Sequence, residues 1–526
     1  MEQAEAKSQE YVVEEGKVLS QSIIWRLQRE YFDNQGINAW MTSVPFYITS
    51  NPFIGTQYAK VLVRFLQDCV RLGRIVANEP IYIVELGSGH GRFSYHLITA
   101  LRAGLEQLQL GHLDWRYVIT DFTQRNLDFC RKHPSFEAMM NTGKMDVALY
   151  DVETMQDLKL QVSGVTLGEA SCKNPLVVVA NYVFDGVRAD CFHVEGGELY
   201  EACPRVTTTE ANAGPITGDT MGQLKLKWES RPANADYYPD PTWNAILKTY
   251  TDTLTNATFL FSTSALVCLK NLQRISGNKM FMLGGDNGFT SMNRWEGSEG
   301  PQIVWHGSFS WLVNYNAMIH WLRQHGGDAL ARAHGSGFRI GFLSLGFAFA
   351  DLTETSLAGQ EALDFTPDDF LRLRREVREV QVQQKLSLDS ALSYLRLSCW
   401  DPDSFTHLSE VLVGVESYDV EQAGQLLECV QRVEPNIYPL PDTRDAYFEL
   451  GRVCQKLERF PEATAYYDRS LNQYGSQWAT HFNLGVCLYA QGVYKDAHRH
   501  LKKAFKLDPK DELTKKWLDT VRKVVQ

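Results

Sequence analysis

The most constraining feature of this 526-residue chain is a set of three glycines at alternate positions, Gly87, Gly89 and Gly91. The residues before them, 81–84, are β-branched and apolar, as a buried parallel strand requires, and apolar side chains recur at helical spacing after them. Glycine adopts positive φ without a Cβ clash. The pattern therefore predicts a tight strand-to-helix turn whose helix N-terminus faces a small polar ligand.

Strand-like and helical runs alternate on the C-terminal side of this turn. The runs IYIVELG, WRYVITD, MDVALYD, NPLVVVAN and KMFMLGG are separated by helical patterns, and a last strand pair is expected near FRIGFLSLGFAFADL. This alternation predicts an α/β fold with a doubly wound, mainly parallel sheet. We expect this domain to cover residues 76–362, with an insertion or a long hairpin near 204–240, where the chain becomes polar and rich in glycine and proline.

Residues 1–75 are predicted to form a helical segment that covers the ligand site. Within it, VPFYITSNPFIG is expected to be a loop, because Pro45, Pro52 and Gly55 interrupt the helical pattern. The first sixteen residues are acidic overall without an apolar run, and no later run reaches membrane-spanning length. The chain is therefore expected to have no leader and no membrane span, and to be cytoplasmic.

Charge and cysteine content exclude several function classes. A net charge of -11 gives the chain none of the overall positive charge that broad nucleic-acid binding requires. The ten cysteines are scattered without a C-x-x-C pair, so neither a disulfide framework nor a zinc site is predicted. We expect reduced, mostly buried thiols and no bound metal.

The chain beyond residue 362 has no strand candidates and contains an internal repeat. Three segments share a pattern of paired helices, two of them 34 residues apart and one degenerate: 444–477, 478–511 and 404–437. The small residues Gly451 and Gly485 occupy equivalent positions in the two clear copies. Their period and pattern resemble the tetratricopeptide repeat. The resemblance implies an all-α domain over 363–526, capped by its last helix, that binds a protein or peptide.

Spacing separates the ligand classes that use a glycine-rich turn. A P-loop needs G-x-x-x-x-G-K-[ST], which is absent, and a dinucleotide site prefers G-x-G-x-x-G, so a nicotinamide oxidoreductase is disfavoured. Here the spacing is G-x-G-x-G, and Glu85 precedes it. This pattern resembles motif I of class I S-adenosylmethionine-dependent methyltransferases. The resemblance implies that the homocysteine part of S-adenosyl-L-methionine lies over the turn.

Acidic residues end the next two predicted strands. Asp121 is suited to the two ribose hydroxyls through charge-assisted hydrogen bonds, and Asp151 to the adenine amino group. Both fall at the carboxyl edge of the sheet, where open α/β sheets bind ligands. The predicted cofactor site comprises Glu85, Gly87, Ser88, Gly89, Gly91, Asp121, Phe122, Asp151 and Val152.

Three later segments, VVVANYVFDGV, GGDNGF and IVWHGSFSWLVNYNAMIHWLRQHGG, extend the resemblance. In order and character they resemble the MidA-like methyltransferase family, which includes mitochondrial assembly factors for respiratory complex I. In that family the corresponding segments have roughly the sequences G-N-E-x-x-D-A-L-P-V, I-D-Y-G and A-H-V-D-F-x-x-L. This chain has Tyr182 in place of the Glu, Asn287 in place of the Tyr, and Ser308 in place of the Asp after the His. The resemblance spans about residues 40–345.

Four residues are assigned to the acceptor side of the predicted reaction. Methyl transfer from a sulfonium requires positioning of the nucleophile and sometimes removal of a proton. Asn181 is suited to accept a hydrogen bond from an amine or amide, and Tyr182 to stack on a planar acceptor. Asp185 is suited to orient a cation or take its proton, and the family resemblance implies His306 as a base.

These observations predict an S-adenosylmethionine-dependent methyltransferase whose protein or peptide acceptor is recruited by C-terminal repeats. The alternative is a non-catalytic assembly or scaffold protein with a methyltransferase fold, which binds the cofactor without transferring methyl. Substitutions on the acceptor side favour the alternative, whereas the intact glycines and strand-end acids favour the enzyme. The sequence identifies neither the acceptor nor the oligomeric state.

Overall fold

The protein was analysed as a computed structural model. It describes residues 10–525 except Ser43, Pro45, 210–214, Ala235, Gln302, 333–336 and Asp442. The chain divides into two compact units. The sheet unit comprises Met1–Ser50 and Ile54–Asp369, and the helical unit comprises Asn51–Phe53 and Phe370–Gln526. The boundary predicted at residue 362 falls within a helix, Thr353–Asp364, of the sheet unit.

The strands of the described residues, in chain order, are β1 Tyr11–Glu14, β2 Ile81–Leu86, β3 Trp115–Asp121, β4 Met145–Leu149, β5 Leu158–Lys159, β6 Thr166–Leu167, β7 Leu176–Asn181, β8 Asp190–Glu195, β9 Glu198–Thr208, β10 Leu224–Pro232, β11 Asn256–Phe261, β12 Met280–Phe289, β13 Val304–His306, β14 Ser308–Ser310, β15 Val313–Asn314, β16 Gly327–Ala331 and β17 Phe338–Leu345.

The α-helices are α1 Ile23–Gln35, α2 Asn38–Thr42, α3 Pro52–Arg71, α4 Arg92–Gln107, α5 Gln124–Lys132, α6 Pro134–Asn141, α7 Pro241–Thr253, α8 Thr263–Ser276, α9 Tyr315–Gln324, α10 Thr353–Asp364, α11 Pro367–Val382, α12 Leu388–Leu397, α13 Pro402–Val413, α14 Val420–Val433, α15 Ala446–Lys456, α16 Phe460–Tyr474, α17 Trp478–Ala490, α18 Tyr494–Leu507 and α19 Glu512–Val525.

The main sheet has the strand order β16-β17-β12-β7-β2-β3-β4, with the short β15 beside the end of β12. Neighbours from β4 to β12 pair in parallel, whereas β17 is antiparallel to both β12 and β16. All six residues of the central β2 are buried, as expected for a parallel strand covered on both faces. The five apolar runs and the last strand predicted from the sequence are confirmed. The other strand of the expected pair, β16, pairs with β17 and lies before the segment FRIGFLSLGFAFADL.

Chain order reverses at the centre of this sheet. From β2 the chain proceeds outward to β3 and β4, then returns to β7 on the other side of β2 and continues to β12. Such a reversal leaves a crevice between the carboxyl ends of the two central strands, which is the usual ligand position in open α/β sheets. The glycine turn follows β2 and Asn181 ends β7, so the topology brings them to the same crevice.

A second, antiparallel sheet was not predicted. The long strand β9 pairs with β8, β10 and β1, and β11 pairs with β8. The expected insertion near 204–240 therefore begins inside β9 and contains β10, a strand with an exposed, charged face. Residues 210–214 and Ala235 of that insertion lie outside the described part. The β8–β9 and β9–β10 pairs join strands that follow each other in the sequence, whereas β1 joins the sheet from the distant N-terminus.

The N-terminal segment is helical apart from β1, and its residues 1–9 lie outside the described part. Pro52 is the first residue of α3, a position that tolerates the missing N–H. Gly55, expected in a loop, lies inside α3, where an added Cβ would be 2.8 Å from the Cβ of His96. That glycine is thus needed for close packing on α4 rather than for a turn. The remaining loop prediction includes Pro45, which is not described.

The helical unit contains paired helices at each predicted repeat. α15 and α16 form one hairpin, α17 and α18 the next, and α13 and α14 lie at the degenerate copy. An added Cβ would be 2.6 Å from Cε1 of Tyr467 at Gly451 and 2.7 Å from Cγ of Leu501 at Gly485. The two glycines therefore perform the same close-packing role in successive hairpins.

All ten cysteines are free thiols and nine of them are buried, as expected from their scatter in the sequence. Within the described residues, no helix combines the length and apolarity needed to cross a membrane.

We expect Gly451→Ala to lower the free energy of unfolding by about 1–2 kcal/mol, because the new methyl group overlaps a fixed ring. Tyr467 is fully buried and its hydroxyl donates to Gln455 Oε1 at 2.7 Å, so the ring cannot move aside freely. Gly424→Ala in α14 is the control. Nothing lies within 4 Å of its added Cβ, so better helix propensity should stabilise that variant by up to about 1 kcal/mol. Urea unfolding of the full chain followed by helical circular dichroism measures both; equal effects would contradict the packing role.

Candidate functional site

A cavity of about 250 Å³ opens at the carboxyl edge of the main sheet. It is lined by the glycine turn, the ends of β3, β4 and β7, the β13–β14 hairpin, and described side chains between residues 28 and 50. It brings together all but one of the site residues predicted from the sequence: Glu85, Gly87, Ser88, Gly89, Asp121, Phe122, Asp151, Val152, Asn181, Tyr182, Asp185 and His306. Gly91 is the exception, since it does not line the cavity and instead is the N-cap of α4.

The glycine turn has the backbone that its sequence predicts. Gly87, Gly89 and Gly91 have φ values of 62°, 56° and 75°, a region that other residues rarely adopt. The Gly89 N–H donates to Asp121 Oδ2 at 3.1 Å, which ties the turn to the end of β3. An added Cβ at Gly89 would lie 3.1 Å from the Trp40 ring, so this ring covers the turn.

Asp121 is buried and its four acceptor positions are already used. Oδ1 accepts from the N–H and hydroxyl of Thr123 at 2.8 and 2.9 Å. Oδ2 accepts from Gly89 N–H at 3.1 Å and Asn126 Nδ2 at 3.2 Å. Burial raises the pKa of Asp121, although these hydrogen bonds oppose the shift. A ribose could bond to this carboxylate only by replacing one of its present donors, and the ribose role stays a prediction.

Glu85 lies beneath the turn rather than at an open surface. One carboxylate oxygen accepts from the Tyr117 hydroxyl at 2.6 Å and from the Ser94 hydroxyl. Burial raises the pKa of Glu85 to about 7, and the two hydroxyl donors only partly offset this. Glu85 thus joins β2, β3 and α4 at the base of the cavity, where burial makes its ionisation harder than that of an exposed glutamate.

Arg29, on α1, is a site residue that the sequence did not reveal. Its guanidinium donates to Asp151 Oδ1 at 3.0 Å and to Glu153 Oε2 at 2.6 Å, and lies 5.1 Å from the centroid of the Phe122 ring. Burial acts to raise the pKa of Asp151, but hydrogen bonds led by that from Arg29 outweigh it and lower the pKa. Arg29 therefore contacts two residues assigned to the cofactor. No motif marks it, because its partners are far away in the sequence.

Asn181 ends β7 and lines the cavity, and its role as a hydrogen-bond acceptor for an amine or amide stays a prediction. Its Oδ1 accepts from the Tyr58 hydroxyl at 2.8 Å, an amide orientation assigned from the hydrogen-bond network. Its Nδ2 is buried and has no partner among the described residues. An added Cβ at Gly285 would lie 2.5 Å from Asn181 Oδ1 and 2.8 Å from Tyr58 Oη, so this pair packs directly on the β12 backbone.

Tyr182 follows β7 in a strained conformation. Its φ is 50°, in the left-handed region, which costs a non-glycine residue about 1 kcal/mol or more. The Tyr182 N–H donates to Gly285 O at 2.9 Å, and its ring meets Phe338 edge-on with centroids 5.1 Å apart. Neighbouring strands thus hold the strained residue at the cavity wall. Stacking on an acceptor stays a prediction.

Asp185 and Asp286 form a contacting pair of buried carboxyl groups. Asp185 lies in the 3-10 turn Phe184–Gly186 and lines the cavity, whereas Asp286 is fully buried on β12. Burial raises the pKa of Asp185 to about 7, and burial together with the Asp185 charge raises that of Asp286. Two such groups cannot both ionise readily. The sequence showed Asp286 only as part of the D-N-G segment; its position directly after a buried apolar run was the available signal.

His306 ends β13 at the side of the cavity. Its Nε2 lies 3.2 Å from Ser310 Oγ, and its Nδ1 has no partner among the described residues. Burial lowers the pKa of His306, so its imidazole is neutral at physiological pH. A catalytic role for this ring stays a prediction.

No group of three or more His, Cys, Asp or Glu side chains among the described residues is arranged to hold a metal ion.

Residues 442–510 match the family model of the tetratricopeptide repeat, which confirms the repeat predicted there. No curated protein matches the chain. Solved structures similar to it include an uncharacterised COG1565 superfamily protein from Burkholderia thailandensis, at 13% identity and a TM-score of 0.36, over 61% of this chain and 93% of that chain. A second COG1565 superfamily structure from that organism, a "likely methyl transferase" bound to S-adenosyl-homocysteine, matches with the same identity, TM-score and shares.

We expect Arg29→Met to destabilise the chain by about 1–2 kcal/mol at pH 7, because it leaves the Asp151 carboxylate without its cation and removes the closer of the two arginines beside Glu153. The pKa of Asp151 is lowered in the folded state, so its stabilising contribution is present above the unfolded pKa and is lost as pH falls through the folded pKa. The difference in free energy of unfolding between the variant and the parent should therefore become smaller in acid.

Arg26→Met is the matched control on the same helix. Arg26 pairs with Glu30, but their side chains are 61% and 33% exposed, so its effect should stay within about 0.5 kcal/mol. Urea unfolding at pH 7 and at about pH 2.5, below the ordinary pKa of an aspartate, measures all three proteins. An Arg29→Met effect that is no larger than the control would show that the contact contributes little.

Proposed function

We propose that this chain is an S-adenosylmethionine-dependent methyltransferase that acts on a protein or peptide bound by its C-terminal repeats. One observation carries the proposal: a single cavity, at the point where strand order reverses, collects the glycine turn, two strand-end acids, Asn181 and Asp185. With it we propose the class I, doubly wound Rossmann-like fold and the MidA-like relationship suggested by the sequence. The cytoplasmic location stays a prediction.

The residues present suit this cofactor. Four acids line the cavity, Glu85, Asp121, Asp151 and Asp185, against one arginine, Arg29, so its electrostatics favour a ligand with positive charge. When bound, S-adenosyl-L-methionine supplies a methyl group on a sulfonium with a neutral thioether as leaving group.

The roles proposed for the chain's residues follow their positions. The turn at Gly87 and Gly89 accommodates the amino-acid end of the cofactor, while Asp121 and Asp151 accept hydrogen bonds from its ribose and adenine. Asn181 and Asp185, beyond β7, hold the acceptor. Aromatic side chains of the N-terminal segment exclude water from the cavity, and catalysis is then largely a matter of positioning.

A second candidate is a scaffold with a methyltransferase fold and no transfer activity. Two contacts favour it: Arg29 occupies the face of Phe122 and one oxygen of Asp151, and Asp121 has no spare acceptor position. Calorimetric titration with S-adenosylmethionine and S-adenosylhomocysteine, followed by transfer of labelled methyl to source-lysate proteins, separates the candidates. Binding with transfer supports the enzyme, and binding without transfer supports the scaffold.

Asp121→Ala should weaken cofactor affinity by one to two orders of magnitude, since a charge-assisted hydrogen bond is worth about 1.5–3 kcal/mol. Asp128→Ala, which removes an exposed acid from the following helix, is the control and should bind like the parent. Thermal midpoints measured beside the titrations separate lost binding from lost folding. Unchanged affinity in a folded Asp121→Ala protein would remove the ribose role.

Charge reversal of Lys502, Lys503 and Lys506 should weaken methyl transfer to a recruited acceptor, most strongly at low ionic strength, because such charges steer encounter and are screened by salt. All three are exposed on α18, and none forms an ion pair within the described chain. The substitution is to Glu at each position. Cofactor affinity should not change.

A control with the same change in net charge reverses three exposed lysines of the sheet unit: Lys132, Lys159 and Lys173. Equal loss of transfer in the two triple variants, measured with labelled methyl at low and high salt, would assign the effect to net charge and remove recruitment from α18.

A further inference from the structure

Arg92, the first residue of α4, is a buried cation whose charge no described residue compensates. The residue is only 7% exposed, yet its guanidinium forms no hydrogen bond and no ion pair with any part of the chain that the structure describes. The guanidinium carbon lies 6.0 Å from the centroid of the Phe46 ring, at the outer limit of a cation–π contact. A buried arginine is normally paired, because an uncompensated charge away from water is costly. Arg92 therefore suits a ligand that brings a negative charge.

The start of α4 favours the same kind of ligand. The helix begins after Gly91, which as N-cap offers no side chain to accept hydrogen bonds from the first turn. The Arg92 N–H donates to His90 Nδ1 at 3.2 Å. The first N–H groups of a helix lack partners within the helix and give that end a partial positive charge. A cation is disfavoured at such an end, whereas an anion is stabilised there.

Two buried imidazoles, His90 and His96, lie within reach of the Arg92 charge. Burial, followed by that charge, lowers the pKa of both rings, that of His90 to about 3, so both are neutral at physiological pH. Both ring nitrogens of His96 are sealed from solvent. The guanidinium nitrogens of Arg92 have no hydrogen-bond partner either, but they keep some accessible surface. Arg92 is therefore the cation of this group that a ligand can reach.

The surroundings of Arg92 connect it to the cavity. His90 and Phe93, on either side of it in the sequence, line the cavity, and so does Phe46. Arg92 itself does not line the cavity; its guanidinium lies beside the Phe46 ring. An arginine side chain has several rotatable bonds, so a small rearrangement is enough for the group to reach a ligand there.

The proposed cofactor has one carboxylate, on its amino-acid end. A carboxylate that enters a largely buried, acidic cavity needs a cation beside it. Among the described residues that line the cavity, one is an arginine, Arg29, and it is already bonded to Asp151 and Glu153. Arg92 directly follows the glycine turn, against which the amino-acid end of the cofactor is proposed to lie. It is therefore the arginine placed to meet that carboxylate.

We propose that Arg92, together with the N-terminus of α4, binds the carboxylate of S-adenosyl-L-methionine and makes the cavity select ligands that keep this group. This inference rests on the proposed methyltransferase function and adds a binding residue to it. Arg92 takes no part in bond making, because the carboxylate is remote from the transferred methyl group. An acidic side chain of the acceptor would offer the same chemistry, and the experiment distinguishes the two sources.

The test uses two ligands that differ by the carboxylate, S-adenosylmethionine and decarboxylated S-adenosylmethionine. Their affinities for the full chain are measured by calorimetric titration, with competition against labelled S-adenosylhomocysteine for the weaker ligand. The ratio of the two affinities should fall about ten- to a hundredfold in Arg92→Met, the factor that corresponds to one charge-assisted hydrogen bond. Arg102→Met removes an exposed arginine from the same helix and should keep the ratio of the parent.

Thermal unfolding without ligand separates a binding role from a structural one. Replacing an uncompensated buried cation by an apolar side chain should leave the midpoint unchanged or raise it. If the methionine variant fails to fold, Arg92→Gln takes its place in the titrations.

An affinity ratio that changes no more in Arg92→Met than in Arg102→Met would overturn the inference. If cofactor affinities stay unchanged while transfer of labelled methyl to protein falls, the carboxylate belongs to the acceptor and the inference is likewise overturned. Failure of the parent to bind either ligand would instead overturn the proposed function.

Discussion

The hydrogen bond from the Gly89 N–H to the Asp121 carboxylate joins the two halves of the site. It can form only because the glycine turn adopts left-handed φ values that direct a backbone N–H sideways, toward the end of β3. The same carboxylate binds Thr123 and Asn126 at the start of α5, so one side chain connects β2, β3 and the helix that follows. The cavity floor is rigid for this reason, and a ligand has to compete with existing bonds rather than fill an open acceptor.

The four acids of the cavity differ in environment more than in chemistry. Arg29 keeps Asp151 ionised, whereas burial makes ionisation of Glu85 and Asp185 harder. Asp185 lines the cavity, whereas its partner Asp286 is fully buried, and burial together with the Asp185 charge raises the pKa of Asp286. Groups whose environments separate their pKa values in this way can divide acid, base and binding roles among themselves.

The N-terminal segment completes the site from outside the sheet. α1 contributes Arg29, and Trp40 lies over Gly89. These side chains line the cavity from outside the main sheet. Tyr182, which also lines the cavity, has a strained backbone. The hydrogen bond from its N–H to Gly285 O holds that backbone in place.

The sequence by itself determined the parallel strands, the glycine turn, the strand-end acids and the spacing of the clear repeats, because each depends on local periodicity or on a conformation that few residues adopt. Only the tertiary structure revealed how the second sheet is completed, since β1 pairs with β9 and β11 pairs with β8 across long stretches of sequence. It also decided that the Tyr58 hydroxyl donates to Asn181 Oδ1, that Arg29 pairs with Asp151 and that Asp286 lies against Asp185. Hydrogen-bond direction and pKa depend on which distant groups become neighbours, and no local pattern encodes that.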